Sequence, residues 1–178
     1  MTLKLENLND EVRTFMLAEV ERDEAHGSLY MSKRFNTHGH EVYPALLKEA
    51  IQQHDDEWLA NELHKGNVFK SLERGTAWGK PSIGRVDRTA HETLSEGEFN
   101  RFYMRGLCQY AIEHGIPELE IYRAKEVEQQ RSESRAKIGG RFSPQTLLND
   151  LTAPFNTHTE SGMPSGPNSG LSIRVPMK

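Results

Sequence analysis

The sequence predicts an α+β fold that is mainly helical, with a helical N-terminal unit, a central amphipathic helix packed with a small sheet, and a loop-rich C-terminal tail. Apolar residues recur at helical spacing, most clearly over residues 95–114. Residues 119–124 instead alternate like a strand with one buried face. Glycine and proline interrupt both patterns over residues 67–91 and again after residue 153. We therefore divide the chain into a helical unit (1–66), a loop or hairpin arm (67–94), a helix-strand-helix core (95–152) and an extended tail (153–178).

The helical unit opens with a helix over residues 9–26, which Gly27 ends. Its apolar stripe consists of Leu8, Val12, Phe15, Met16 and Val20. The opposite face is acidic and carries Glu11, Glu19, Glu21, Asp23 and Glu24. We interpret this face as solvated, and the alternative is a docking surface for a partner protein.

Two more helices complete this unit. The first starts near His40 and places Pro44 in its opening turn, where a missing N–H is tolerated. The second is capped by Asp55 or Asp56 and ends at Gly66.

The region that follows predicts a hairpin or a mobile arm, with a strand over residues 82–86. Its glycines and its proline break any helical period. Basic residues are scattered through it: Lys70, Arg74, Lys80, Arg85 and Arg88.

The central helix is predicted over residues 95–114, because Ser95 and Glu98 form a capping-box pattern. Gly106 lies within its apolar stripe, so we expect another backbone to approach closely there. Further along, Ser143 is expected to cap a short helix that has Pro144 at its first position. Residues 171–175 predict a final strand.

Composition narrows the classes of function. The net charge of −4 argues against a broad nucleic-acid-coating surface, so phosphate binding would need a local basic cluster. Cys108 is the one cysteine, which excludes an internal disulfide and suits a cytoplasmic or virion setting. No apolar run reaches the roughly 20 residues of a membrane span. We therefore expect no membrane association.

The candidate binding residues are arginines, a lysine and a glutamate: Arg101, Arg105, Arg123, Lys125, Arg131, Arg135 and Glu98. Arg101 and Arg105 share a helix face with Glu98, and the others follow the predicted strand. If they converge, guanidinium groups suit phosphate or carboxylate ligands. The alternative, which we favour, is a structural ion-pair network or a polar surface between subunits.

Metal and cofactor chemistry is not indicated. His38 and His40, and His54 beside Asp55 and Asp56, match no strong metal-ligand spacing and are better explained as surface or capping residues. The sequence contains no phosphate-binding loop and no nucleophile pattern. We therefore expect no catalytic residues, no metal and no cofactor.

Five segments carry a family resemblance: residues 8–32, 96–108 (EGEFNRFYMRGLC), 121–127 (IYRAKEV), 131–134 (RSES) and 164–175 (PSGPNSGLSIRV). They resemble a family of uncharacterised bacterial and prophage proteins of similar length, associated with phage head genes. That family has no established activity, so the resemblance implies a virion assembly component and assigns no residue a role.

We therefore predict a structural or interaction protein, a phage-type virion (head or neck) assembly component whose partners are other protein subunits. One alternative is a nucleic-acid- or phosphate-binding protein or enzyme that uses the arginine cluster. The other is a regulatory or antitoxin-like partner that docks through its acidic first helix.

Overall fold

The computed structural model describes residues 3–77, 79–126, 135–153, 159–163 and 170–177, and these residues form an α+β fold that is mainly helical. The helices are α1 (Asp10–Ala25), α2 (Thr37–Gln53), α3 (Asp56–Lys65), α4 (Ala90–Glu113) and α5 (Pro144–Thr152). The strands are β1 (Leu72–Ala77), β2 (Lys80–Arg85), β3 (Leu119–Arg123), β4 (Arg141–Phe142) and β5 (Leu171–Arg174).

Helix α4 lies at the centre of the core and packs against α1, α3, α5 and β5. Its Phe99, Phe102 and Leu107 are fully buried. At Gly106 an added Cβ would lie 2.6 Å from Met16 Cγ and 2.8 Å from the Met16 backbone nitrogen. The close backbone approach predicted at Gly106 is therefore confirmed, with α1 as the neighbour.

A three-stranded antiparallel sheet, ordered β4-β3-β5, covers part of α4. The final strand predicted from the sequence is confirmed as β5, which pairs with β3 so that Ile173 lies opposite Ile121. The prediction of one buried face on β3 is wrong. Tyr122 is buried on the second face, where it packs with Leu3 and Ala124, because the N-terminal segment covers that side.

The N-terminal segment, residues 3–8, is tied to both β3 and β5. The Lys4 N–H donates to the Ala124 carbonyl at 2.9 Å. Arg174 donates to Glu6 at 2.9 Å, and the Val175 N–H donates to Asn7 Oδ1 at the same distance. These bonds join segments from opposite ends of the described chain.

Three predicted helix starts are confirmed by their caps. The Asn9 side chain accepts from Val12 N–H, Asp55 accepts from Trp58 N–H, and Ser143 accepts from Thr146 N–H. Asp55, not Asp56, is therefore the cap of α3. In each case the side-chain oxygen satisfies a backbone donor that the helix leaves without a partner.

Two predicted helix starts are wrong. Helix α2 begins at Thr37, because Asn36 caps it with a 2.8 Å bond from Gly39 N–H, so Pro44 lies in the interior and not in the first turn. Helix α4 begins at Ala90, so Ser95 and Glu98 are buried interior residues and form no capping box. The residue before α4, Thr89, makes no side-chain capping bond, so the sequence contains no strong signal for the true start.

Candidate functional site

The predicted arginine cluster is centred on a buried guanidinium, that of Arg105, which is 3% exposed. Its Nη1 and Nη2 donate to the two carboxylate oxygens of Asp23 at 2.6 and 2.9 Å. Its Nε donates to Glu19 at 2.8 Å, and Gln109 donates to the other oxygen of the same carboxylate. Fork-shaped pairing of this kind satisfies donors and acceptors together.

Arg101 and Glu98 extend this group along α4. Arg101 Nη2 lies 3.2 Å from Asp23 and 3.6 Å from Glu98 Oε2. Both guanidinium groups also lie over the ring of Phe102, at 5.1 Å from its centroid. We call Glu19, Asp23, Glu98, Arg101 and Arg105 the α1–α4 ion cluster.

The pKa shifts in the ion cluster follow from burial and pairing. Burial by itself raises the pKa of Asp23, but the hydrogen bonds and the charge of Arg105, with a further contribution from Arg101, bring that pKa below its ordinary value. Burial also opposes the charged form of Arg105, yet its two carboxylate partners raise its pKa above the ordinary value. Glu98 differs, since burial outweighs the nearby guanidinium groups and its pKa is raised.

The acidic face predicted for α1 is therefore only partly solvated. Glu19 and Asp23 are 4% and 8% exposed and turn inward to Arg105, whereas Glu11 and Glu21 are exposed. The interpretation of the whole face as solvated is wrong for the two buried residues, because α4 supplies their counter-charges across the interface.

The remaining candidate residues lie elsewhere. Arg123 is at the end of β3, opposite Leu171 of β5. Lys125 forms an ion pair with Glu96 of α4, and Arg135 is exposed. Arg131 lies outside the described residues. The structure thus brings together Glu98, Arg101 and Arg105, with α1 carboxylates that the sequence did not assign to them.

The histidines weighed as metal ligands are dispersed. His38 and His40 lie in the first turn of α2, while His54 stacks on the ring of Trp58 at a centroid distance of 4.2 Å. The carboxylate of Asp56 is buried and accepts from the Leu3 N–H. Among the residues that the structure describes, no three His, Cys, Asp or Glu side chains are grouped so that they could hold a metal ion.

The second candidate site is the hairpin of β1 and β2, which confirms the predicted hairpin. We call residues 70–88 the arm. The two strands pair antiparallel, with Leu72 opposite Arg85 and Arg74 opposite Ile83. The strand predicted over residues 82–86 is observed as β2 at Lys80–Arg85, so it begins two residues earlier and ends one residue earlier than predicted. Leu72 is 53% and Ile83 72% exposed, more than the exposed isoleucines of the body, Ile112 and Ile138, at 42% and 41%.

Beyond its base, the arm is covered on neither face by the rest of the described chain. A Cβ added at Gly84 would meet nothing within 4 Å, and one added at Gly75 would meet only Ser82 of the same hairpin. Apart from Glu73 and Ser82, the arm-strand residues whose side chains are described are exposed. The arm therefore extends from the body of the protein.

The base of the arm, in contrast, is fixed to the body. Arg34 donates two hydrogen bonds, of 2.7 and 2.9 Å, to the carboxylate of Glu73. Lys70 N–H donates to the Arg34 carbonyl at 2.8 Å, and Phe35 forms a β-bridge with Phe69. These contacts set the direction in which the arm leaves the body.

The sequence predicts the arm as a hairpin but not as a candidate site. Its five basic residues against two acidic ones, in a chain of net charge −4, are the signal that could have done so.

No family model, curated protein or solved structure matches the chain. In the described part of the chain, none of the helices is long and apolar enough to cross a membrane.

Proposed function

We propose that this protein is a structural or interaction protein, a subunit of a larger assembly of the phage virion (head or neck) type, and that its arm makes the contacts to neighbouring components. The observation that carries the proposal is the arm itself, a two-stranded ribbon with both faces in water and two exposed aliphatic side chains. The family resemblance of the sequence supplies the virion setting.

An isolated two-stranded ribbon is marginally stable in water, so we expect contacts with another component to stabilise the arm. Fully burying an exposed leucine or isoleucine side chain contributes about 1.5–3 kcal/mol, and less where the side chain is already partly covered, as at Leu72. Leu72 and Ile83 are therefore available to stabilise an interface, while Arg34 and Phe35 hold the base in place.

The alternative proposal, an anion-binding protein or enzyme built on the arginine cluster, has less support. The Nε, Nη1 and Nη2 atoms of Arg105 all donate to carboxylates of its own chain. A phosphate ligand would have to displace Asp23 or Glu19 from a buried site, and each would then be left as an unpaired buried charge.

The experiment is to measure the mass of the purified full chain in solution by light scattering, beside a variant in which residues 72–85 are replaced by a short Gly-Ser link. We expect the full chain to associate with increasing concentration and the shortened chain to remain monomeric. Circular dichroism and thermal unfolding check that the body of the variant stays folded.

A matched pair of point variants sharpens this test. Ile83→Ser on the arm and Ile112→Ser on α4 make the same change at two exposed isoleucines. Only the first is expected to weaken association. A full chain that stays monomeric at all concentrations would contradict the proposal.

A further inference from the structure

We infer that the arm of one copy docks on the acidic body of a second copy of this chain. The inference rests on the proposed function in one respect, namely that the arm acts on a partner outside its own body. It adds that the partner is a second copy of this chain, and that the arm of one copy contacts the body of the other.

The charge of the molecule is divided between the arm and the body. The arm has five basic residues and two acidic ones, so its formal charge is +3. Because the whole chain has a net charge of −4, the residues outside the arm carry a net charge of −7. Arg34 pairs with Glu73, and Asp87 accepts bonds from the backbone and the hydroxyl of Thr89. Both acidic groups of the arm are therefore engaged at its base, and the strands beyond them present basic side chains.

This division favours one pairing of copies over the others. Two arms repel each other, and so do two bodies, whereas an arm and a body attract. Exposed carboxylates of the body that can meet the arm include Asp10 and Glu21 of α1 and Glu113 of α4.

The face of the arm that carries Leu72, Arg74, Ile83 and Arg85 has a chemistry that suits a protein partner. The register places Leu72 beside Arg85 and Arg74 beside Ile83, so aliphatic and guanidinium groups alternate across the two strands. Thr76 and Pro81 continue the same face toward the tip. The face thus matches a surface that offers both carboxylates and apolar contacts, and arginine is a residue type enriched at protein interfaces.

A nucleic acid is the competing occupant, since a two-stranded ribbon fits the major groove. The body argues against it. A polyanion that reached the arm would also meet the field of a body of charge −7, which repels it.

The test uses two double variants with the same change in charge. Arg74→Glu/Arg85→Glu reverses the arm, and Lys4→Glu/Arg135→Glu reverses two exposed basic residues outside it. By sedimentation velocity at low salt, the arm-reversed chain is expected to be monomeric, and the control to associate at least as strongly as the unmodified chain. Raising the salt from about 50 to about 500 mM is expected to weaken association of the unmodified chain roughly tenfold.

Mixing the arm-reversed chain with the unmodified chain then tests whether the contact joins an arm to a body. The arm-reversed chain keeps an intact body, so a fluorescently labelled sample should form mixed complexes with the unmodified chain although it does not associate alone. Failure to form mixed complexes would overturn arm-to-body docking.

A final measurement tests nucleic-acid binding by the fluorescence polarisation of a labelled 20-base-pair DNA duplex and of a labelled RNA strand of the same length. We expect no binding. Binding by the unmodified chain that the arm-reversed chain loses would overturn the inference and assign the arm to nucleic acid.

The failures of the two proposals are distinguishable. If removal of residues 72–85 abolishes association but arm reversal does not, the inference falls and the proposed function stands. If the unmodified chain is monomeric under all conditions, both fall.

Discussion

Arg105 of α4 is 3% exposed and donates to two carboxylates of α1, whereas Arg74 and Arg85 of the arm lie on a face that the rest of the described chain leaves uncovered. The residue type is the same, but in one region its charge is neutralised inside the fold and in the other it faces outward. The difference comes from the elements that pack beside each arginine and not from its local sequence.

The two regions should therefore respond to substitution in opposite ways. A buried charge that loses its partner is destabilising, because the remaining charge lies away from water. An exposed charge on the arm has water as its alternative partner, so removal changes stability little. Four measurements of folding stability test this contrast.

The largest expected effect is at Arg105. Arg105→Met leaves Glu19 and Asp23 buried without their main counter-charge, and we expect a loss of about 3–5 kcal/mol in the free energy of unfolding. Urea denaturation measures it. Arg101→Met is the control, since Arg101 is more exposed and the loss should be about 1 kcal/mol. Equal losses of stability at Arg105 and Arg101 would contradict the expected dependence on burial.

Asp56 is an intermediate case, a buried carboxylate whose described protein partner is the Leu3 backbone N–H. Burial raises its pKa from 3.8 to about 6, against the opposing effect of that hydrogen bond. The folded state therefore holds this proton at a higher pH than the unfolded state does. Its contribution to stability is complete below pH 3.8 and is lost as the pH rises to about 6 and above.

Asp56→Asn removes this titration. We expect the stability of the unmodified chain relative to this variant to fall by about 2–3 kcal/mol between pH 4 and pH 7. Chemical denaturation of both proteins at several pH values gives the difference. Asp55→Asn keeps a good capping residue at the neighbouring position, and because the Asp55 charge contributes to the raised pKa of Asp56, this variant should reduce the pH dependence without abolishing it. A constant difference across the range would contradict the assignment to Asp56.

A glycine-to-alanine pair compares the packing of the two regions. At Gly106 the new methyl group would meet the Met16 backbone, and the resulting overpacking should outweigh the gain in helix propensity by about 1–2 kcal/mol. At Gly84 on the arm the same methyl group meets nothing. Thermal unfolding should show a lower melting temperature for Gly106→Ala alone, and a similar loss at Gly84 would mean that the arm is packed against the body.

The smallest expected effect is on the arm. Arg74→Ala/Arg85→Ala should change the free energy of unfolding by less than about 0.5 kcal/mol, measured on dilute protein so that association does not contribute. A loss above about 1 kcal/mol would show that these arginines support the fold.

The sequence predicted those features that depend on neighbouring residues. Asn9, Asp55 and Ser143 were recognisable as the starts of helices because a capping side chain acts on a backbone N–H only two or three residues away. The hairpin was recognisable for a similar reason, since its turn residues and its strands are adjacent.

Most features that depend on distant residues were missed, and at Gly106 the sequence predicted the close approach but not that α1 makes it. Nothing near Asp23 shows that its partner is 82 residues further along, so the acidic face of α1 was taken as solvated. Tyr122 gained its cover from the N-terminal segment, which no local pattern in β3 could reveal. The start of α4 was placed at Ser95 because a capping-box pattern is local evidence, and it was overridden by a helix that begins five residues earlier.

The joint between the N-terminal segment and β5 has a consequence for synthesis of the chain. Glu6 and Arg174 are separated by 168 residues, which a ribosome adds in roughly 10 to 30 seconds at about 5–20 residues per second. Until then Glu6 and Asn7 lack their β5 partners, so this edge of the body closes late. In the complete chain these contacts also close a very long loop, so we expect them to form after the folding transition state, and substitutions at Glu6 or Asn7 should accelerate unfolding more than they slow folding.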